Sequence, residues 1–105
     1  MIRAKYSIEG NKHTLVVLGH SNYDEHGKDI VCAGVSALVQ ALIGWAEDSG
    51  CKIICISKDD TENEVIVSCR GNRAVKTAFK MAYIGLGQIA ESYPDQLQIT
   101  IGIAD

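Results

Sequence analysis

The chain contains four cysteines and three histidines, the residue types that pair as nucleophile and base in thiol chemistry. Among the cysteines, Cys32 has the neighbours that make a thiol reactive. Asp29 stands just before a run with apolar residues at helical spacing. There an aspartate accepts a hydrogen bond from an N–H two or three residues on. With Asp29 as the cap, Cys32 is the third helical residue, where unpaired N–H groups and the positive end of the helix dipole favour thiolate over thiol. His20 follows Gly19, a residue type that permits close backbone approach, at the junction of a strand and a polar loop. An imidazole with a pKa near 6.5 serves as general base or as an imidazolium partner. Spacing alone leaves the alternatives open, since a cysteine in a first helical turn is often buried and a loop histidine is often merely solvated.

The remaining candidates have plainer readings. Cys51 and Cys55 lie in CKIICIS, a strand-like run. Four strand residues separate their sulfurs by roughly 13 Å, too far to share an ion through metal–sulfur bonds of ~2.3 Å. Cys69, in VIVSC, reads as a small buried thiol. His13 alternates with strand residues, and His26 stands in the middle of the polar loop. Trp45 and Phe79 fall at core positions of amphipathic helices.

The elements that would position Cys32 and His20 follow from periodicity. Residues 2–9 alternate, with Ile2, Ala4, Tyr6 and Ile8 on one face; Gly10-Asn11 is a turn signal; and His13 to Leu18 is the returning strand. Residues 19–28 form a polar loop. From Ile30 the stripe Val31, Val35, Leu38, Leu42 and Trp45 predicts a helix ending at Ser49-Gly50. Residues 51–57 and 64–69 are β-branched runs joined by an acidic turn, read as a solvated hairpin tip. Asn72 is placed to cap a second helix with the stripe Val75 to Tyr93, stopped by Pro94, and Leu97 to Ile103 alternate as a last strand. The order ββαββαβ predicts an α+β two-layer sandwich with both helices on one face of a mostly antiparallel sheet.

A chain of 105 residues makes one domain, here 1–105, and leaves no candidate linker. Its net charge of −3 argues against direct nucleic-acid or anionic-membrane binding, which calls for a basic stripe. No apolar run approaches the ~20 residues of a membrane span. The N-terminus lacks the apolar segment of a signal peptide. The expectation is a cytoplasmic protein with reduced cysteines.

The string Gly19-His20, a polar loop, then Gly27-Lys28-Asp29-Ile30-Val31-Cys32-Ala33-Gly34-Val35-Ser36 closely resembles the signature of the bacterial ribosomal-processing cysteine protease (Prp) family. The likeness extends over the whole chain in length, element order and opening strand. Ser21 departs from it, standing where the family most often has alanine. The resemblance implies a single cysteine-protease domain: an endopeptidase that removes a short N-terminal extension from a large-subunit ribosomal protein precursor. It matches Cys32 to the nucleophile and His20 to its partner. It also implies a cytoplasmic homodimer without metal or cofactor, cutting a short hydrophobic segment just after an aromatic residue.

Asp29 matches a family position, and helix capping explains it equally well. Ser36, one turn after Cys32, is placed to touch substrate or orient the thiol, or is a serine tolerated where helix meets sheet. Gly19 and Ser21 complete the candidate site as supporting positions. The alternative from another class is a non-catalytic ribosome-associated module that binds an extended peptide by strand addition.

Overall fold

The computed structural model describes residues 1–19 and 28–104. The elements are β1 (Ile2–Glu9), β2 (Lys12–Leu18), α1 (Lys28–Ser49), β3 (Lys52–Asp59), β4 (Glu64–Arg70), α2 (Arg73–Ser92) and β5 (Leu97–Ala104), in the expected ββαββαβ order. Glu9 pairs with Lys12 across the β1–β2 turn, and Gly10 there has φ 60°. That is the positive φ a type II′ turn needs at its first central residue.

The sheet runs β3-β4-β2-β1-β5, with β1 and β5 parallel and every other pair antiparallel. Each helix therefore joins two strands that point the same way: α1 takes β2 past β4 to β3, and α2 takes β4 past β2 and β1 to β5. The first crossover runs one way along the sheet and the second the other, from strands of opposite direction. With both crossovers in the strongly preferred right-handed sense, the two helices land on the same face.

That face holds the core. Ile2, Ala4, Tyr6, Leu15, Val17, Val67, Cys69 and Leu97 from the sheet pack with Val31, Val35, Val39, Leu42, Ala46, Val75, Phe79, Ala82 and Leu86 from the helices. The helices run antiparallel in close contact. A Cβ on Gly34 would meet the Ile89 side chain at 3.0 Å, and one on Gly85 would meet Leu38 at 2.8 Å. The opposite face is polar, with a Thr14 Oγ1–Ser68 Oγ hydrogen bond of 2.9 Å joining β2 to β4.

Four local features differ from the expectation. Helix α1 begins at Lys28, before the first apolar residue of the stripe, because apolar periodicity marks where burial starts and not where helical backbone starts. Ile30, read as the helix start, is 64% exposed. Asn72 occupies the cap position of α2 but its side chain makes no capping bond; its carbonyl accepts the Lys76 N–H at 3.0 Å. The stretch Ile30–Ser49 is long and apolar enough to cross a membrane, although no unbroken apolar run is that long; here it is the helix that covers the sheet, with Val31, Val35, Val39, Leu42 and Ala46 buried. In β3 the register slips between Ile53 and Cys55, the signature of a bulge. Ile53 pairs with Cys69 on the core face, whereas Cys55 pairs with Ser68 on the polar face.

Two buried groups carry measurable consequences. His13 is 3% exposed, its Nδ1 lies 2.6 Å from the Tyr6 hydroxyl, and both rings stack near Phe79. Burial, and then the Lys76 charge, hold the His13 pKa below its ordinary value of 6.5. As pH falls below 6.5, the unfolded chain takes up a proton that the folded protein resists, so stability is full above that value and declines beneath it. The urea midpoint of the protein should fall between pH 7.5 and 5.5, and this fall should shrink in His13→Gln.

Cys69 is fully buried and hydrogen-bonded with Cys51, whose thiol also donates to the Ala46 carbonyl at 3.6 Å. Burial first, then Cys51, pushes the Cys69 thiol up to about 12. Cys69 should therefore resist iodoacetamide at pH 8 in the folded protein and react once urea unfolds it, as read by peptide mapping.

Candidate functional site

Cys32 is the fifth residue of α1 and Asp29 the second. The capping role expected of Asp29 is thereby corrected: its backbone is already helical, in the first turn of α1. Cys32 lies correspondingly deeper than a third residue, although helical side chains lean back toward the N-terminus. Its side chain is half-buried against the core, between buried Val31 and the exposed Ala33. Ser36, also half-buried, follows one turn later on the same side. Gly34 between them allows α2 to approach α1 at this level.

Gly19 has φ 77°, and a Cβ there would lie 2.6 Å from the Met1 carbonyl oxygen. Its N–H donates to the Asn63 carbonyl at 3.1 Å. The end of β2 is thus held between the start of β1 and the β3–β4 turn, in a backbone conformation and a space that suit glycine alone. In that turn Asn63 itself has φ 51°, a value asparagine tolerates. Asp59 Oδ1 accepts the N–H groups of Thr61 and Glu62 at 3.0 and 3.2 Å, so this acidic residue shapes the turn. His20, Ser21 and His26 lie outside the described residues.

Beside Ser36 the structure shows residues that sequence reading passed over. A cavity of about 160 Å³ is bounded by Ser36, Gln40, Val35 and Val39 of α1, Val17 of β2, Val65 of β4, Lys58 near the end of β3 and Asp60 just beyond it. The chain separation between 36–40 and 58–65 hid this grouping; the one available signal was the repeat of polar residues at 32, 36 and 40. A larger apolar groove of about 590 Å³ lies on the other flank of α1, against α2, and includes Leu38, Trp45, Ala78 and Met81. Among the described residues, no group of three or more His, Cys, Asp or Glu side chains is placed to hold a metal ion. The bulge in β3 directs Cys55 away from the face on which Cys51 meets Cys69.

Comparison with known proteins gives this geometry its context. The sequence profile of the family described as Cysteine protease Prp matches residues 1–98. The Ribosomal processing cysteine protease Prp of Mycoplasma genitalium is 31% identical over 97 residues, spanning 88% of this chain and 91% of that protein. The protein of the same name from Mycoplasma pneumoniae is 28% identical over 83 residues, 78% of this chain and 80% of that one. Among solved structures, the essential ribosomal processing protease Prp from S. aureus, in complex with a substrate peptide, superposes with a TM-score of 0.84 at 21% identity, covering 96% of this chain and 99% of that one. A Streptococcus mutans protein superposes equally well, at 23% identity over 99% and 96% of the two chains. At such identities these structures establish the shared α+β fold. Family membership decides against the non-catalytic alternative: this chain belongs to the cysteine protease Prp family and is a peptide hydrolase.

Proposed function

We propose that the protein is the endopeptidase that removes the short N-terminal extension of a large-subunit ribosomal protein precursor, with Cys32 as nucleophile and His20 as general acid and base. The observation that carries this reading is the placement of Cys32 in the first turns of α1, in a chain whose Gly19 is pinned immediately before His20. The names of the Mycoplasma relatives support the ribosomal substrate. A second S. aureus Prp structure carries a covalently linked product peptide, the kind of species that nucleophilic catalysis forms.

In this reading the Cys32 thiolate attacks the scissile carbonyl carbon. The oxyanion leans on backbone N–H groups near the helix start, the C–N bond breaks, and the His20 imidazolium protonates the departing amine. Water, deprotonated by His20, then hydrolyses the thioester and regenerates the thiol. Ser36 touches substrate or orients the sulfur from one turn away; Asp29 and Ser21 support the loop and helix start. The working form is a cytoplasmic homodimer, on the strength of the resemblance, and the cut falls after an aromatic residue.

Incubation with the host's ribosomal-protein precursor, followed by mass spectrometry, tests the reading directly. Cys32→Ala should abolish the shorter product while the melting temperature stays near that of the unchanged protein. His20→Ala should slow cleavage by about 10²–10⁴-fold, and His26→Ala far less. Precursor processing by Cys32→Ala at the unchanged rate would sink the proposal.

Gly19→Ala should cost about 1–2 kcal/mol from its left-handed backbone alone, with a further penalty from the close Met1 carbonyl. It should reduce kcat/KM by more than its melting temperature accounts for, because the displaced backbone carries His20.

A further inference from the structure

Strand β2 ends between two walls. Its last pair with β4 is Leu18 with Glu64, and the Gly19 N–H bond to the Asn63 carbonyl adds one rung beyond it. On the opposite side the Met1 carbonyl occupies the space that a Gly19 Cβ would need. Met1 bounds Gly19 sterically, whereas the bond to Asn63 is directional. The carbonyl that receives this bond belongs to the turn between β3 and β4. Residues 60–63 of that turn are all exposed, so burial does little to fix their shape.

The turn is held from within. Asp59 pairs with Glu64 at its base, and Asp59 Oδ1 accepts the N–H groups of both Thr61 and Glu62, the local closure by which aspartate shapes turns. Asn63 completes the turn at φ 51°, a conformation that few residues besides glycine, asparagine and aspartate adopt. Removing the Asp59 carboxylate frees two N–H groups and loosens the residue whose carbonyl holds Gly19. His20 follows Gly19 in the chain, their Cα atoms about 3.8 Å apart across one peptide bond. We infer that Asp59 is a positioning residue for the cleavage: by closing the β3–β4 turn it presents the Asn63 carbonyl to Gly19, and so sets the point from which the chain delivers His20. The inference rests on the proposed role of His20. Asp59 acts here through backbone geometry, and its charge has no part in the role.

The test compares Asp59→Ala with Asp59→Asn, whose side-chain oxygen still accepts both N–H groups. Circular dichroism first establishes that each variant is folded at the assay temperature. Asp59→Ala should then speed hydrogen exchange at the Gly19 amide, read by NMR. With the ribosomal-protein precursor as substrate, it should lower kcat about 10- to 100-fold at nearly unchanged KM, the cost of a misplaced catalytic group. The pH midpoint of Cys32 alkylation should rise, as in His20→Ala, because an imidazolium no longer steadies the thiolate. Asp59→Asn should restore all three. Asn63→Gly, which keeps the backbone conformation, should match the unmodified protein, and Asn63→Val, which opposes it, should follow Asp59→Ala.

An unchanged kcat in Asp59→Ala would overturn the inference, as would an equal loss in Asp59→Asn. A rise in KM at constant kcat, the mark of a turn that contacts substrate, would overturn it too. An inactive His20→Ala beside a fully active Asp59→Ala removes this inference alone. A His20→Ala protein that cleaves at the unmodified rate removes the catalytic reading, and the inference with it.

Discussion

The packing of the valine side of α1 onto the sheet is the constraint from which the site follows. Val31, Val35 and Val39 are each 5% exposed or less, and they meet a sheet face that includes the equally buried Leu15, Val17 and Val67. Cys32 and Ser36 each follow one of those valines, about 100° further round the helix, so seating the valines also sets where the thiol and hydroxyl emerge. The half-buried state of both residues is the expected outcome at the margin of a buried stripe. A roll of the helix sufficient to reposition Cys32 would expose valine surface, at a cost of roughly 25 cal/mol for each Å².

The second support for the site comes from a distance. Gly19 is bonded to Asn63, and Asn63 lies in a turn shaped by Asp59. The acidic turn thus anchors the end of β2, while Lys58 and Asp60 at its approach border the cavity beside Ser36. A segment with the composition of a plain solvated hairpin tip helps frame the site. Charge pattern alone does not reveal that, because the polar side chains and the backbone carbonyl act in different directions.

Much of the fold was legible because local rules governed it. Alternation identified the buried face of β1 and the presence of β2, three-and-four spacing identified both helices, and two amphipathic helices with an alternating sheet implied one helical layer. The helix start at Lys28 was hidden, since neither Lys28 nor Asp29 carries an apolar side chain for periodicity to detect. The β3 bulge was hidden because a single inserted residue leaves a β-branched run looking continuous. Strand order depends on crossover handedness and on pairings of residues about fifty positions apart, as Thr14 with Ser68. At the site, the string around Cys32 was legible as a family signature, whereas the pocket arises from contacts between α1 and the distant β3–β4 hairpin.

The sheet order also bears on how the molecule comes into being during synthesis. Because β4 lies between β2 and β3, the first sixty residues hold two strands that never pair with each other and are joined only once the strand between them has emerged. Contacts of such long sequence separation form late, since loop closure precedes their reward. The Gly19–Asn63 bond belongs to that late stage, and so does the face of β4 on which α1 rests. A ribosome-bound nascent chain of this protein therefore carries Cys32 well before it carries β4, the strand that completes the sheet face on which α1 is seated.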